Sequence, residues 1–399
     1  MNTARHYRSE PRLLINRSSL LHNLALIRSC LAPTTRVCAM VKADAYGHSA
    51  GIVADTLANF LTDGEHARPV EHLAVATIEE ALALPVHDKP IHVFRPLENI
   101  FIGRQQRIVR DAIVSGAILT LLTPAAAGDL ARLAERVGRR ANVQVMLDTG
   151  MTRCGCEPAT FEALVERVMS LPSLRLHSVC THLATADTPD DPFVSEQLAR
   201  FRSATDTLAS RGVMRHAANS GGAMLFPDSH FDMVRPGISL YGIDATCEYT
   251  PARPLRPIAK WLAPIVAIHH VKAGTSVGYC RTFTAPDDTR IGVLPVGYAD
   301  GYLRGNGNKG CVLVGDATCP VVGRVSMDLT TIDLANAPQA QIGDDAILMD
   351  DNPTSPASAY KLAEWMGSIP YEIFTRIGPR VKRVAIEPED PPIAEEWTD

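Results

Sequence analysis

Residues 38–48 read "CAMVKADAYGH". An apolar run, Val37 to Val41, ends on a single lysine, Lys42, and Tyr46, Gly47 and His48 follow closely. A short, bounded apolar run suits a buried strand. Charged side chains are seldom fully buried unless they are paired or put to use. Lys42 therefore either turns to water where the strand stops or is a chemical group presented at the strand's end. A lysine whose pKa is lowered by its surroundings suits the second role, as a nucleophile toward a carbonyl compound.

The flanking sequence makes this strand one of a series. "RVCAMV" (36–41) precedes the helical pattern "SAGIVADTLANF" (49–60), and "HLAVAT" (72–77) precedes "IEEALAL". "IHVF" (91–94) comes next, then "AILTLL" (117–122) with "PAAAGDLARLAERV", in which Pro124 marks a helix start. "NVQVML" (142–147) precedes "PATFEALVERVM", and "LRLHSVCTH" (174–182) precedes "VSEQLARFRSATDTLAS". "MRHAA" (214–218) and "FDMV" (231–234) complete the set. A repeated strand-then-helix unit argues a parallel sheet. Eight such units over residues 16–245 match the size of a closed, TIM-type (β/α)8 barrel, an α/β fold.

The pattern changes after Gly242. "TPARPLRP" (250–257) reads as a linker. "LAPIVAIHHV", "RIGVLPVGY", "GCVLVG", "PVVGRVSM", "TTIDL" and "DAILMD" then predict a C-terminal, mainly β-strand domain over 246–386, with residues 1–15 packing on it. "SAYKLAEWMG" (358–367) predicts one amphipathic helix, and the acidic, proline-containing stretch 387–399 a mobile tail.

Bulk composition excludes several classes. The 399 residues are 46% hydrophobic and 21% charged, enough for two cored domains. A net charge of −5 leaves no basic footprint for nucleic acid. No apolar run of about 20 residues predicts a membrane span. The N-terminal "MNTARHYRSEPRLLIN" lacks the apolar core of a secretory signal, so a cytoplasmic protein is expected. Nine scattered cysteines suit free thiols. Cys154 and Cys156 read as packing residues, the thirteen histidines show no tight ligand spacing, and no metal site is expected.

Barrels place ligands at the C-terminal ends of their strands. The polar residues there are Lys42 and Tyr46; Asp148, Met151 and Arg153 in "LDTGMTRCG"; His182 in "CTHLATAD"; Asn219 and Ser220 in "AANSGGAM"; and Arg235 in "MVRPGIS". Each has a plain structural reading: His182 as a satisfied histidine, Asn219-Ser220 as a helix cap, the arginines as solvated charges. Their convergence on one rim favours a ligand. The last two strands are where barrels often bind phosphate, here with the Ser220 hydroxyl and the N–H groups of Gly237 and Ile238. A phosphate beside a lysine suggests pyridoxal 5′-phosphate.

The series "AMVKADAYGH", "LDTGMTRCG", "THLATAD", "HAANSGG", "MVRPGISLYG", "VGYCRTF", "PVGYADGYLR", "VVGRVSMD" and "YEIFTRIGPRVKR" resembles, in order and over residues 12–383, the PLP-dependent alanine racemases. The resemblance implies roles. Lys42 would carry PLP; Tyr46, Ser220, Gly237, Ile238 and Tyr371 would surround its phosphate, with Asn219 beside them. Arg235 would face the pyridine nitrogen, and His182 would pack near the ring and connect to Arg235. Arg153 and Met327 would hold the substrate carboxylate. Tyr279 would be a second base, reaching the partner subunit's barrel in a head-to-tail homodimer. Asp187, Tyr298, Arg304 and Arg324 would line the substrate's access corridor. Two bases suit racemisation, because a proton must leave one face of Cα and return on the other. A tyrosine serving as base near neutral pH needs positive charge beside it.

The sequence also departs from the family. Where the family often has a lysine that can carry a carbamate, this chain has Met146, so Arg153 needs another partner or none. The usual Ser-Tyr-Gly around the tyrosine is Gly278-Tyr279-Cys280, and "FRPLENIFIGRQQ" (94–106) resembles the family weakly. The expected function is interconversion of L- and D-alanine, supplying peptidoglycan precursors. The alternatives are a racemase of other or broader specificity (serine, lysine), a non-catalytic PLP-binding protein, and a related decarboxylase. The second domain with Tyr279 argues against the cofactor-binding protein, and the contexts of Cys311 and Cys319 argue against the decarboxylase.

Overall fold

The computed structural model describes residues 10–59, 68–85, 88–97 and 104–387. The expected tail beyond residue 387, residues 1–9, and 98–103 of the weakly matching segment lie outside the described residues.

Eight parallel strands form a nearly closed barrel. Around the ring they run Met214–His216, Leu174–Cys180, Ala141–Met146, Ile118–Leu121, Ile91–Val93, His72–Val75, Arg36–Met40 and Met233–Val234. The seam between first and last is bridged by two backbone hydrogen bonds, Asp232 N–H to Arg215 O (3.1 Å) and Arg235 N–H to Ala218 O (2.9 Å). Helices on the outer face bury apolar stripes against the strands; Pro124–Val137, for example, starts at a Thr123 cap and turns Leu130, Leu133 and Ala134 inward.

Side chains alternate along each strand, so every second residue faces the barrel interior. Cys38 and Met40 thus precede Lys42 on one row, and Ser178 and Cys180 precede His182 on another. The interior is only partly apolar: Cys38, Ala74 and Met233 form a small cluster with Met40, Phe94 and Met214 against it.

The second domain carries a six-stranded sheet ordered Ala317–Pro320, Cys311–Val314, Asp345–Met349, Ala259–Pro264, Arg12–Asn16, Lys382–Ile386. Arg12–Asn16 sits inside it, antiparallel to Ala259–Pro264 and parallel to Lys382–Ile386. A three-stranded sheet (Ala267–Val271, Thr289–Leu294, Thr330–Asp333) and a hairpin (Ser276–Val277, Phe283–Thr284) complete it. The helix expected at 358–367 is Ala359–Met366, between a Ser358 cap and a left-handed Gly367. Two readings differ. "PVVGRVSM" is mostly irregular, because its backbone wraps the loop that carries Tyr298: Tyr298 N–H bonds Ser326 O at 3.1 Å. Within "YEIFTRIGPRVKR" a further helix, Pro370–Arg376, lies against the Lys42–Tyr46 turn at the barrel mouth.

Candidate active site

Lys42 opens a turn whose next residues have left-handed backbone angles: Ala43, Asp44, Ala45 and Tyr46 have φ of 52°, 53°, 53° and 56°. Each L-residue in that region costs about 1–2 kcal/mol, so neighbours must hold it. Ala45 N–H bonds Val41 O (2.9 Å) and Gly47 N–H bonds Ala43 O (2.9 Å). Glu80 accepts Ala43 N–H (2.8 Å) with one oxygen and Ala76 and Thr77 N–H (2.7 and 3.0 Å) with the other. Asp44 accepts Ala50 N–H (2.7 Å). Arg383 of the second domain donates to Gly47 O (2.9 Å). The turn aims the amine of Lys42 and the ring of Tyr46 at one cavity, and the amine stands 5.8 Å from the ring centre. Burial, then the Arg153 guanidinium, lowers the Lys42 pKa, which favours the neutral, nucleophilic amine.

The cavity measures about 870 Å³. On one side Tyr46 packs between Tyr241 (4.8 Å between ring centres) and Tyr371 (6.1 Å). Burial raises the pKa of both Tyr46 and Tyr371, so both stay protonated donors. Ser220 Oγ gathers the N–H groups of Gly237 (2.8 Å) and Ser239 (3.3 Å). Asn219 has the capping role: its side chain accepts Gly222 N–H at 2.9 Å and so fixes Ser220 at the first turn of Ser220–Leu225.

Arg235 is fully buried beneath this cradle without a carboxylate partner among the described residues. It donates to Thr181 O (2.8 Å), Ala217 O (2.9 Å) and His216 Nδ1 (2.7 Å), approaches His182 Nδ1 at 3.4 Å, and lies 5.4 Å from the centre of the Phe94 ring. Burial, with Arg235 alongside, pushes His182 and His216 well below the usual histidine range, so both are neutral. An acceptor Nδ1 puts the His216 proton on Nε2, which donates to Ser178 Oγ (3.1 Å). Deeper in the barrel Gln144 donates to Thr120 Oγ1 (2.8 Å), accepts from His92 Nδ1 (2.8 Å), and leaves His92 Nε2 to accept from His72 Nδ1 (3.1 Å). Sequence reading missed His216, Gln144 and these histidines; their signal is the two-residue step that places them on the same inward rows as the rim residues.

The cavity wall brings together Lys42, Tyr46, Arg153, His182 and Asp187 with Asn219, Ser220, Arg235, Gly237, Ile238 and Tyr371. Met146 and Cys154 also line the cavity. Tyr279, Tyr298, Arg304, Arg324 and Met327 are not on it. They lie in the second domain, with Tyr279 68% and Met327 54% exposed. Tyr279 sits on a loop of left-handed residues, Gly278 (φ 74°), Cys280 (59°) and Arg281 (51°).

Comparison with known proteins agrees with this geometry. The family model described as alanine racemase, N-terminal domain, matches residues 15–245, and that of the C-terminal domain matches 258–385. Alanine racemase of Syntrophobacter fumaroxidans is 35% identical over 370 residues, 91% of this chain and 94% of that one. The structure of alanine racemase from Streptomyces coelicolor superposes with a TM-score of 0.84 at 33% identity, covering 96% of this chain and 99% of that one. Alanine racemase from Bartonella henselae, whose structure has covalently bound pyridoxal phosphate, superposes at 0.80 with 27% identity, covering 95% and 100%. Two domain matches in order, and relatives aligned over nearly their whole length, leave one conclusion: the chain belongs to the alanine racemase family.

Proposed function

We propose that the chain interconverts L-alanine and D-alanine with pyridoxal 5′-phosphate, at sites shared between two copies, and so supplies D-alanine for peptidoglycan precursors. The observation that carries this is one cavity holding a half-buried lysine of lowered pKa, the hydroxyls of Tyr46, Ser220 and Tyr371, and the buried cation Arg235. The cofactor fits these residues. Gly237 has no side chain where a Cβ would lie 2.4 Å from Tyr46 Oη, and that bare surface leaves room beside the Tyr46 hydroxyl, next to the Ser220 hydroxyl that the Gly237 N–H bonds. Lys42 would hold the aldehyde carbon, and Tyr46, Ser220, Gly237, Ile238 and Tyr371 the phosphate. When bound, the cofactor supplies an electron sink for charge developing at the substrate Cα.

The chain's own groups then do the rest. Arg153, free of any partner among the described residues, receives the substrate carboxylate. Arg235 stays charged and offers N–H without taking a proton. Lys42 Nζ removes or returns the Cα proton on one face, and Tyr279 Oη does so on the other. Tyr279 is exposed and away from its own chain's cavity, so it and Met327 would serve the partner's barrel mouth.

The test is Cα deuterium exchange in D₂O, reading label and handedness together with L-alanine, L-serine and L-lysine supplied separately. Inversion with label for alanine alone supports the reading. Comparable inversion of serine or lysine makes the enzyme broader, and no exchange by cofactor-bearing protein overturns it.

A further inference from the structure

The strand Ala141–Met146 ends in a closed excursion that carries Arg153. Asp148 N–H bonds Cys156 O (3.0 Å) and Cys156 N–H bonds Met146 O (2.7 Å), so the chain leaves and returns at one point. Within the excursion Asp148 accepts the N–H groups of Gly150 (2.8 Å) and Thr152 (3.1 Å). The backbone lies so close to the helix Phe193–Ala209 that a methyl group on Gly150 would come within 2.7 Å of Phe193 Cζ. Arg153 lines the cavity, where its charge lowers the pKa of Lys42 and His182. Met146, on the same wall, is uncharged and cannot hold the guanidinium as an anion would.

The excursion is held from behind. Gln197 belongs to the buried stripe of Phe193–Ala209, with Val194, Leu198 and Phe201, and is wholly buried. A buried amide needs hydrogen-bond partners, and this one finds three on two loops. Its Oε1 accepts Ala184 N–H (2.8 Å), and its Nε2 donates to His182 O (3.0 Å) and to Thr149 Oγ1 (3.1 Å). Thr149 Oγ1 in turn stands 2.8 Å from Thr181 Oγ1, and Thr149 O accepts from Arg200 Nη1 at 2.8 Å. Both threonines are buried as well. Leucine or methionine would fill the apolar stripe, so packing alone does not call for glutamine at this position. What the amide adds, from behind the cavity wall, is a tie between the Arg153 loop and the strand end that carries His182.

We propose that Gln197 is a positioning residue: through Thr149 it fixes the loop that carries Arg153, and so sets where the cavity holds a substrate carboxylate. The inference rests on the reading above at one point, that Arg153 receives that carboxylate.

The experiment uses the cofactor-bearing protein and calorimetric titration with propionate, which has the carboxylate and carbon chain of alanine without its amine. Thr149→Val keeps the side chain's shape and removes the hydroxyl, so propionate should bind about tenfold weaker, the scale of one lost hydrogen bond. Thr149→Ser restores the hydroxyl and should bind within about twofold of the unaltered protein. Gln197→Met should weaken binding at least as much as Thr149→Val, and combining the two should add little, since both act on one bond. If Gln197→Met does not fold, Gln197→Glu, which keeps the acceptor for Ala184 N–H, takes its place. Affinity of Thr149→Val for pyridoxal 5′-phosphate should stay within about twofold. In Arg153→Leu, adding Thr149→Val should change the propionate Kd by less than about twofold. Unchanged propionate binding in Thr149→Val or the Gln197 variant, a loss that Thr149→Ser shares, or an equal loss of cofactor affinity overturns the proposal. So does an effect that persists in Arg153→Leu, or no binding to the unaltered protein. Binding is read without turnover, so failure of the racemase reading, seen by deuterium exchange, is a separate result.

Discussion

The hydroxyl of Tyr46 and the α-carbon of Gly237 are so close that a methyl group on Gly237 would lie 2.4 Å from the phenolic oxygen and 3.1 Å from Cζ. The ring cannot retreat, since it is buried against Tyr241 and Tyr371. Gly237→Ala should therefore displace the Tyr46 hydroxyl and weaken cofactor affinity by about tenfold or more, the loss of one good hydrogen bond to a charged group. Titration of cofactor-free protein with pyridoxal 5′-phosphate measures it. Unchanged affinity would mean that the Tyr46 hydroxyl does not face the phosphate.

Glu80 lies on the helix Ile78–Ala83, outside the cavity wall, yet it holds the left-handed turn through Ala43 N–H. Glu80→Ala removes acceptors for three amides and should lower stability by about 2–3 kcal/mol. It also removes a carboxylate that raises the Lys42 pKa. The amine should then be neutral at lower pH, and the pH profile of cofactor association should move down. Denaturant unfolding and the association profile read the two effects, and a stability loss with an unmoved profile would assign Glu80 a purely structural part.

The order of strands, the helices between them and the rim residues were legible because most of the barrel strands are followed within two residues by a charged or hydroxyl residue. What could not be read is set by contacts across the ring. His216, Ser178, Gln144 and His92 look like ordinary strand residues in the sequence; only the closed barrel makes them neighbours of Arg235 and of one another. The left-handed turn after Lys42 was equally hidden, because Ala43, Asp44 and Ala45 have no intrinsic preference for it and Glu80, 37 positions away, supplies the acceptor. The helix Pro370–Arg376 is too short to show a period, so Tyr371 was found by resemblance and its element was not.

The histidine network makes stability pH-dependent. Burial lowers the pKa of His72 and His177 to about 4, against about 6.5 in an unfolded chain. Between those values the unfolded chain binds the protons and the folded one does not. Stability is thus whole above pH 6.5, falls as pH drops toward 4, and levels below that. Urea unfolding across this window should show the decline. In His72→Asn, which keeps a donor toward His92, the slope should be shallower by one proton, about 1.4 kcal/mol per pH unit. An unchanged slope would mean that His72 is protonated in the folded protein.

If Tyr279 serves the partner's cavity, two defective chains can repair one another. Lys42→Ala and Tyr279→Phe should each be nearly inactive as homodimers. Mixed and allowed to exchange, half the dimers are mixed, and each has one site with both bases, so activity should recover to about a quarter of that of the unaltered protein. A mixture as inactive as its parts would place both bases on one chain.

The strand Arg12–Asn16, lodged between Ala259–Pro264 and Lys382–Ile386, bears on how the protein is made. Its first partner emerges from the ribosome roughly 240 residues later, a delay of about 12–50 s at ordinary translation speeds, and its second later still. Throughout that interval the barrel can assemble, but this strand has both edges open and nothing to pair with. Nascent chains stalled before residue 259 should accordingly be the ones that chaperones hold, with release following completion of the sheet that joins the earliest described strand to the last.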